Sequence, residues 1–264
     1  MELNELGLLD DGDIDLIEAG IAIARADRPE ADPARLRRLV SGWAISLQRD
    51  TAPVSGSGRA RRLTGLIASE TGLTGATDDY DNPLNADLIA IIDRSRGLPV
   101  ALSILYVALA RRVGWRADAL NLPGHVIVEV KGGVDSALID PFDHGIGITR
   151  ERAVEIARHG GGDSVSTRFE PMSNRQLLIR LITNQASRAR SGGDSKRALK
   201  LYERMTLIAP RLTSLWWERA RLEQLLGHNM AARASLTAML ETTHEPTLTR
   251  RIQAALAALA RSDS

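Results

Sequence analysis

His125 and Asp140 are two side chains whose types and spacing allow them to do chemistry together. They bound two strand-like runs, 125–131 and 134–140, joined by Gly132 and Gly133. A two-residue glycine turn would make Lys131 face Val134, and the same register sets His125 opposite Asp140. Opposed residues share one face of a sheet, with Cβ atoms about 4.5–5.5 Å apart. A carboxylate so placed orients and charges an imidazole, as acyl-transfer catalysis requires. A slip of one residue would send the two to opposite faces, so the site depends on the turn.

The elements that must position this pair are legible around it. From Pro99 to Gly114 the chain is apolar nearly all round, with proline where a first helical turn tolerates it and glycine where a helix stops. A helix apolar on every side belongs in the centre of a domain. Strands are expected over 115–122, 125–131 and 134–140. Ahead of them, apolar spacing predicts helices from Asp15 to Asp27, from near Pro33 to about Leu47, from Arg59 to Glu70, and from Asn85 to Arg94. The stretch 51–58, TAPVSGSG, reads as a loop; its glycines lack the preceding strand and the GK[ST] of a phosphate loop. Asp81, Asn82 and Asn85 are placed to cap turns.

Behind Glu170 the sequence repeats itself. An offset of 34 residues lays Ala186 on Ala220, Gly193 on Gly227, Ala198 on Ala232 and Tyr202 on Leu236. That period is the signature of tetratricopeptide-like helix pairs. Two such pairs and a last helix over 248–260 are fewer than usually stand alone, so their apolar faces need a partner surface.

Composition narrows the function classes. The 264 residues are 44% apolar and 25% charged, and none is cysteine, so disulfides, thiolate metal sites and a thiol nucleophile are excluded. The net charge of +1 divides into an acidic part before Glu170 and a basic part after it. The basic charges lie along helices without a cluster or interleaved aromatics, which favours a solvated surface over nucleic acid. No apolar run reaches the roughly 18 residues of a membrane span, and the first residues, MELNELGLLDDGD, are acidic where a signal peptide is basic. A cytoplasmic protein is expected, its oligomeric state left open.

The run YDNPLNADLIAIIDRSRGLPVALSILYVALARRVG, then LPGHVIVEV, then LIDPFDHG, resembles the SirB-type branch of the transglutaminase-like superfamily, a bacterial type that carries tetratricopeptide repeats behind that domain. The resemblance extends from about Asp15 to Arg261. It implies an α+β fold: a mainly helical, papain-like domain with a small antiparallel sheet over 1–170, then an all-α repeat region over 171–264. Enzymes of the superfamily place a cysteine at the start of the central helix, a histidine at the start of a strand and an aspartate on the next strand. His125 and Asp140 match the last two, and Pro99 stands where the cysteine would be. Proline has no nucleophilic atom. Ser103, about 6 Å further along the helix axis, is the alternative nucleophile, although a mid-helix serine usually bonds its own backbone.

The resemblance therefore implies a non-catalytic regulatory or scaffolding protein, a pseudoenzyme holding a protein or peptide through its repeats. A ligand in the old cleft would meet Pro99, His125, Asp140 and Asn85. The alternative is an amide or ester hydrolase using His125 and Asp140 with water or Ser103. No cofactor is implied. A metal would need Asp143 or His144 as well, and no HExxH-like spacing supports one.

Overall fold

The computed structural model describes residues 1–49, 54–161 and 169–262. In chain order the helices and strands are α1 (Leu3–Leu8), α2 (Leu16–Asp27), α3 (Ala34–Arg49), α4 (Gly56–Thr64), β1 (Thr74–Gly75), α5 (Ala90–Arg94), β2 (Arg96–Gly97), α6 (Pro99–Arg112), β3 (Ala117–Leu122), β4 (His125–Lys131), β5 (Ser136–Asp140), β6 (Ile146–Ile148), α7 (Arg150–His159), α8 (Asn174–Ser191), α9 (Ser195–Ile208), α10 (Thr213–Leu225), α11 (Asn229–Thr242) and α12 (Pro246–Ser262). They form two compact units, one of Asp10–Leu181 and one of Met1–Leu9 with Ile182–Ser264. The division between these units falls at Leu181, inside α8.

In the first unit α6 is the core. Eleven of its fourteen residues are buried, and it packs against β3 and β4 on one side and α2 and α3 on another. Gly114, at φ +77°, ends it. The sheet runs β3-β4-β5-β6, antiparallel throughout. Leu120, Leu122, Ile127 and Leu138 from the sheet bury themselves with Ala153 and Ala157 of α7. A helix-only reading of Arg59–Glu70 is corrected at both ends. The helix begins at Gly56 because the Ser55 hydroxyl accepts from Gly58 N and caps it there, and it ends in a π turn over Gly65–Ser69. The region 85–94 is also shorter in α-helix than its pattern implies. Pro83–Ala86 is a 3-10 turn, and the Asp87 carboxylate, accepting from Ile89 N and Ala90 N, starts the helix afresh.

The hairpin turn differs from the sequence reading. Lys131 pairs with Ser136, not Val134, so four residues connect the strands. The cause lies far along the chain: Asp135 accepts from Gly56 N through its side chain and from Gly132 N through its carbonyl, while Gly133 N donates to the Val54 carbonyl. These bonds to the start of α4 outcompete a tight two-residue turn. Two pairings also had no sequence signal, the edge strand β6 and the parallel pair β1–β2, which joins Thr74 to Arg96 and Gly75 to Gly97.

Asp11 supplies the cap of α8 from the other end of the unit. Its carboxylate accepts from Asn174 N and Arg175 N, both at 2.9 Å, and its carbonyl accepts from the Asn174 side chain. Partial burial would raise the Asp11 carboxyl, but the two backbone donors outweigh it and hold the group below its ordinary value. A lowered carboxyl stabilises the fold above its unfolded pKa of about 4 and loses that contribution as pH falls through the folded value. Asp11→Ala should therefore cost about 1 kcal/mol at pH 7, and the gap to the parent chain should narrow once the pH falls below about 4. Urea unfolding of both proteins at pH 7 and below about pH 4 checks this, and a gap independent of pH would disprove the cap.

The second unit is a stack of antiparallel helix pairs. Gly193 and Gly227, the glycines superposed by the 34-residue offset, both take φ near +77° between paired helices. Ala220, Ala232, Leu236, Met239, Ile252 and Leu259 form its buried cluster. Glu223 is buried but satisfied, accepting from Arg219 Nε and from the Ser235 hydroxyl. A partner surface for the repeats comes partly from the chain's first residues: α1 packs on α9, Leu6 is fully buried, and a Cβ at Gly7 would lie 2.3 Å from the Leu207 carbonyl oxygen. At six residues α1 is too short for periodicity to reveal.

Candidate functional site

His125 opens β4 and Asp140 closes β5. The register places Val128 opposite Ile139, so His125 and Asp140 are diagonal neighbours, two residues off direct opposition. A shift of two leaves both on one sheet face, where a shift of one would have parted them. The ring reaches across: His125 Nε2 lies 2.9 Å from each Asp140 oxygen. Asp140 Oδ1 also accepts from Phe142 N, and its carbonyl accepts from Gly145 N, so the chain's own turn holds the carboxylate in place. Because Asp140 takes Nε2, Nδ1 is the nitrogen left to address a ligand or a proton.

One aromatic side chain packs against the pair and a second stands behind it. Phe142 meets the His125 ring edge-on at 5.8 Å, and Tyr80 meets Phe142 in the same manner at 5.9 Å. The side chains of His125 and Asp140 are 15% and 8% exposed. Neither Phe142 nor Tyr80 was singled out in the sequence, although Tyr80 opens the YDNPLN run and Phe142 lies within LIDPFDHG, both of which carry the resemblance.

A chain of backbone contacts links this pair to the head of α6. The Phe142 carbonyl accepts from Gly75 N and from the Thr74 hydroxyl, and Gly75 pairs with Gly97, two residues ahead of Pro99. The Asn85 carbonyl accepts from Leu98 N, fixing the residue that caps α6. The Asn85 side chain is fully buried, donates to the Asp79 carbonyl and accepts from Arg94. Partial burial works against ionisation of Asp79, but its bond to Arg94, backed by Asn85 and Asn82, holds its carboxyl below the ordinary range. Asn85 thus shapes the loop that sets the helix start. Pro99 is the first residue of α6 and is buried. Ser103 is fully buried as well, and its hydroxyl points to the Val126 carbonyl at 3.4 Å instead of back into its own helix.

Beneath the site Tyr106 is 1% exposed, with Oη beside Thr64 but completing no well-directed hydrogen bond. Burial pushes the phenol up to about 12, and the Asp140 charge adds to the shift, while Thr64 offsets part of it. Among the described residues no three His, Asp or Glu side chains gather as metal ligands. Asp143 and His144 lie in the turn after Asp140, His144 with φ +50°.

Comparison with known proteins identifies the scaffold on which this geometry is built. Residues 33–183 match the transglutaminase-like superfamily. The chain belongs to that superfamily. Residues 186–261 match the tetratricopeptide repeat. A UPF0162 protein of Xylella fastidiosa (strain 9a5c) is 26% identical over 257 residues, 94% of this chain and 92% of the relative. A UPF0162 protein of Pseudomonas aeruginosa is 27% identical over 93% of this chain and 91% of its own length. The human F-box only protein 21 is 27% identical over 56% of this chain and 25% of its own. The expected α+β arrangement, a mainly helical transglutaminase-like domain with a small antiparallel sheet followed by tetratricopeptide repeats, is the one present. Among the described residues no helix is long and apolar enough to cross a membrane.

Proposed function

We propose that this transglutaminase-like protein is a non-catalytic regulatory or scaffolding protein that holds a protein or peptide through its helical repeats. The observation that carries the reading is Pro99 at the head of α6, in a chain without a single cysteine. A helix start favours a thiolate by its dipole, and here it meets a ring that has no proton to give. Phe142, packed edge-on against the histidine and backed by Tyr80, supports the same reading by covering one side of the ring. Helix-pair repeats bind by presenting a surface and bring no chemistry of their own.

A second reading has one observation in its favour. The two 2.9 Å contacts between His125 and Asp140 are those of an oriented general base, which could activate water in an amide or ester hydrolase. Ser103 serves that reading poorly, being fully buried with its hydroxyl on Val126. Thioester and amide probes incubated with the full chain separate the two. The expected result is turnover at background level, unaltered by His125→Ala. Turnover that His125→Ala removes and Ser103→Ala spares would establish the hydrolase with water as nucleophile.

A further inference from the structure

A cleft of about 380 Å³ lies in the first unit, away from the His125 and Asp140 side chains. One wall is a single stripe of α4, in which Ser57, Ala60, Arg61 and Thr64 follow each other at helical spacing. The opposite wall is the sheet, with Ala137 and Ile139 alternating on one face of β5. Gly147 pairs directly with Ile139 and so shares that face. The π turn after α4 closes one end, where Glu70 N donates to the Gly65 carbonyl five residues back. Such turns are rare and recur at functional sites. The space exists because residues that would fill it are glycine: a Cβ at Gly65 would meet no atom within 4 Å, and one at Gly147 only the Leu138 carbonyl at 4.0 Å.

The chemistry of the walls is one-sided. Aliphatic surface makes up the sheet side, hydroxyls lie along the helix, and the lining contains one cation and no acid. That cation, Arg61, is exposed, and no carboxylate among the described residues pairs with it. A single planar guanidinium matches a carboxylate through two parallel bonds, and a lone arginine is a sparse site for a phosphate.

We propose that this cleft binds a carboxylate borne on a short aliphatic group, the group lying on Ala137 and Ile139 and the carboxylate on Arg61. Two sources share that chemistry, a free branched-chain acid and the carboxyl-terminal residue of a peptide. The site is independent of the proposed scaffolding role and of any chemistry at His125.

The test is an NMR titration of the full chain, following backbone amides, with 4-methylpentanoate and with acetyl-Ala-Leu-Leu, each against its amide. Both acids should shift the amides of Ser69, Gly145 and Gly147. Binding of so small an acid is expected at about millimolar strength, and the amides should bind about tenfold more weakly. A peptide more than tenfold tighter than the free acid would identify a peptide terminus as the ligand. Equal affinities would identify the aliphatic carboxylate alone. Arg61→Gln, an exposed change that spares the fold, should weaken both acids about tenfold. Gly147→Val, which fills the cleft beside Ile139, should abolish the shifts. The proposal is overturned if the amides bind as well as the acids, if Arg61→Gln binds like the parent, or if neither acid shifts these amides.

Discussion

Replacing Leu6 by alanine should lower the stability of the repeat unit by about 2–5 kcal/mol. Leu8→Ala, two residues on, should change it by no more than about 0.5 kcal/mol. Both are leucines of one short helix, but Leu6 is fully buried and Leu8 is 88% exposed. A six-residue helix has little stability of its own, so α1 exists because Leu6 is buried and Gly7 lets the backbone close on Leu207. Truncating Leu6 removes apolar burial and leaves a cavity that so short a helix fills only by detaching. The effect should therefore spread to the partner helix: amide exchange in α9 should accelerate in Leu6→Ala and stay unchanged in Leu8→Ala. Equal effects from the two substitutions, or unchanged exchange in α9, would mean that the repeats do not rely on this segment.

Gly75→Ala should cost about 3 kcal/mol and displace the aromatic neighbour of the candidate site. A Cβ at residue 75 would lie 2.5 Å from the Phe142 carbonyl oxygen and 2.6 Å from two atoms of its ring. The carbonyl cannot retreat cheaply, because Gly75 N and the Thr74 hydroxyl both donate to it. The ring cannot turn freely either, lying between His125 and Tyr80. The added methyl must separate β1 from the 140–145 turn or move Phe142 away from the histidine. Gly42→Ala is the matched control: it sits on the exposed side of α3 with nothing near its Cβ position, and it should stabilise by about 0.5–1 kcal/mol. Thermal melts read the stability, and the ring resonances of His125 report the displaced aromatic. A Gly75→Ala chain that melts like the parent with unmoved His125 resonances would show that this contact does not position the site.

What could be read without coordinates was what local chemistry dictates. The burial of α6 follows from a run of apolar residues too continuous for any surface helix, with Pro99 and Gly114 marking ends that backbone geometry alone requires. The repeat turns follow from Gly193 and Gly227, one period apart and both at positive φ. That His125 and Asp140 share a sheet face survived an incorrect turn, because the four-residue connection shifted the register by two and side chains alternate with a period of two. The type of pairing was decided by parity, which sequence distance carries.

Tertiary structure decided whatever depended on residues distant in the chain. The hairpin lengthened because Asp135 found Gly56, and α8 was capped by Asp11, more than 160 residues before it. The first residues became a helix only by finding α9, and Phe142 came to the histidine because Gly75 had room for it. In each case a weak local preference, worth about 1 kcal/mol or less, gave way to a long-range hydrogen bond or to burial. The pattern within a segment can specify its helix, strand or face. Which distant donor, acceptor or apolar surface completes that segment is settled only when the chain has closed on itself.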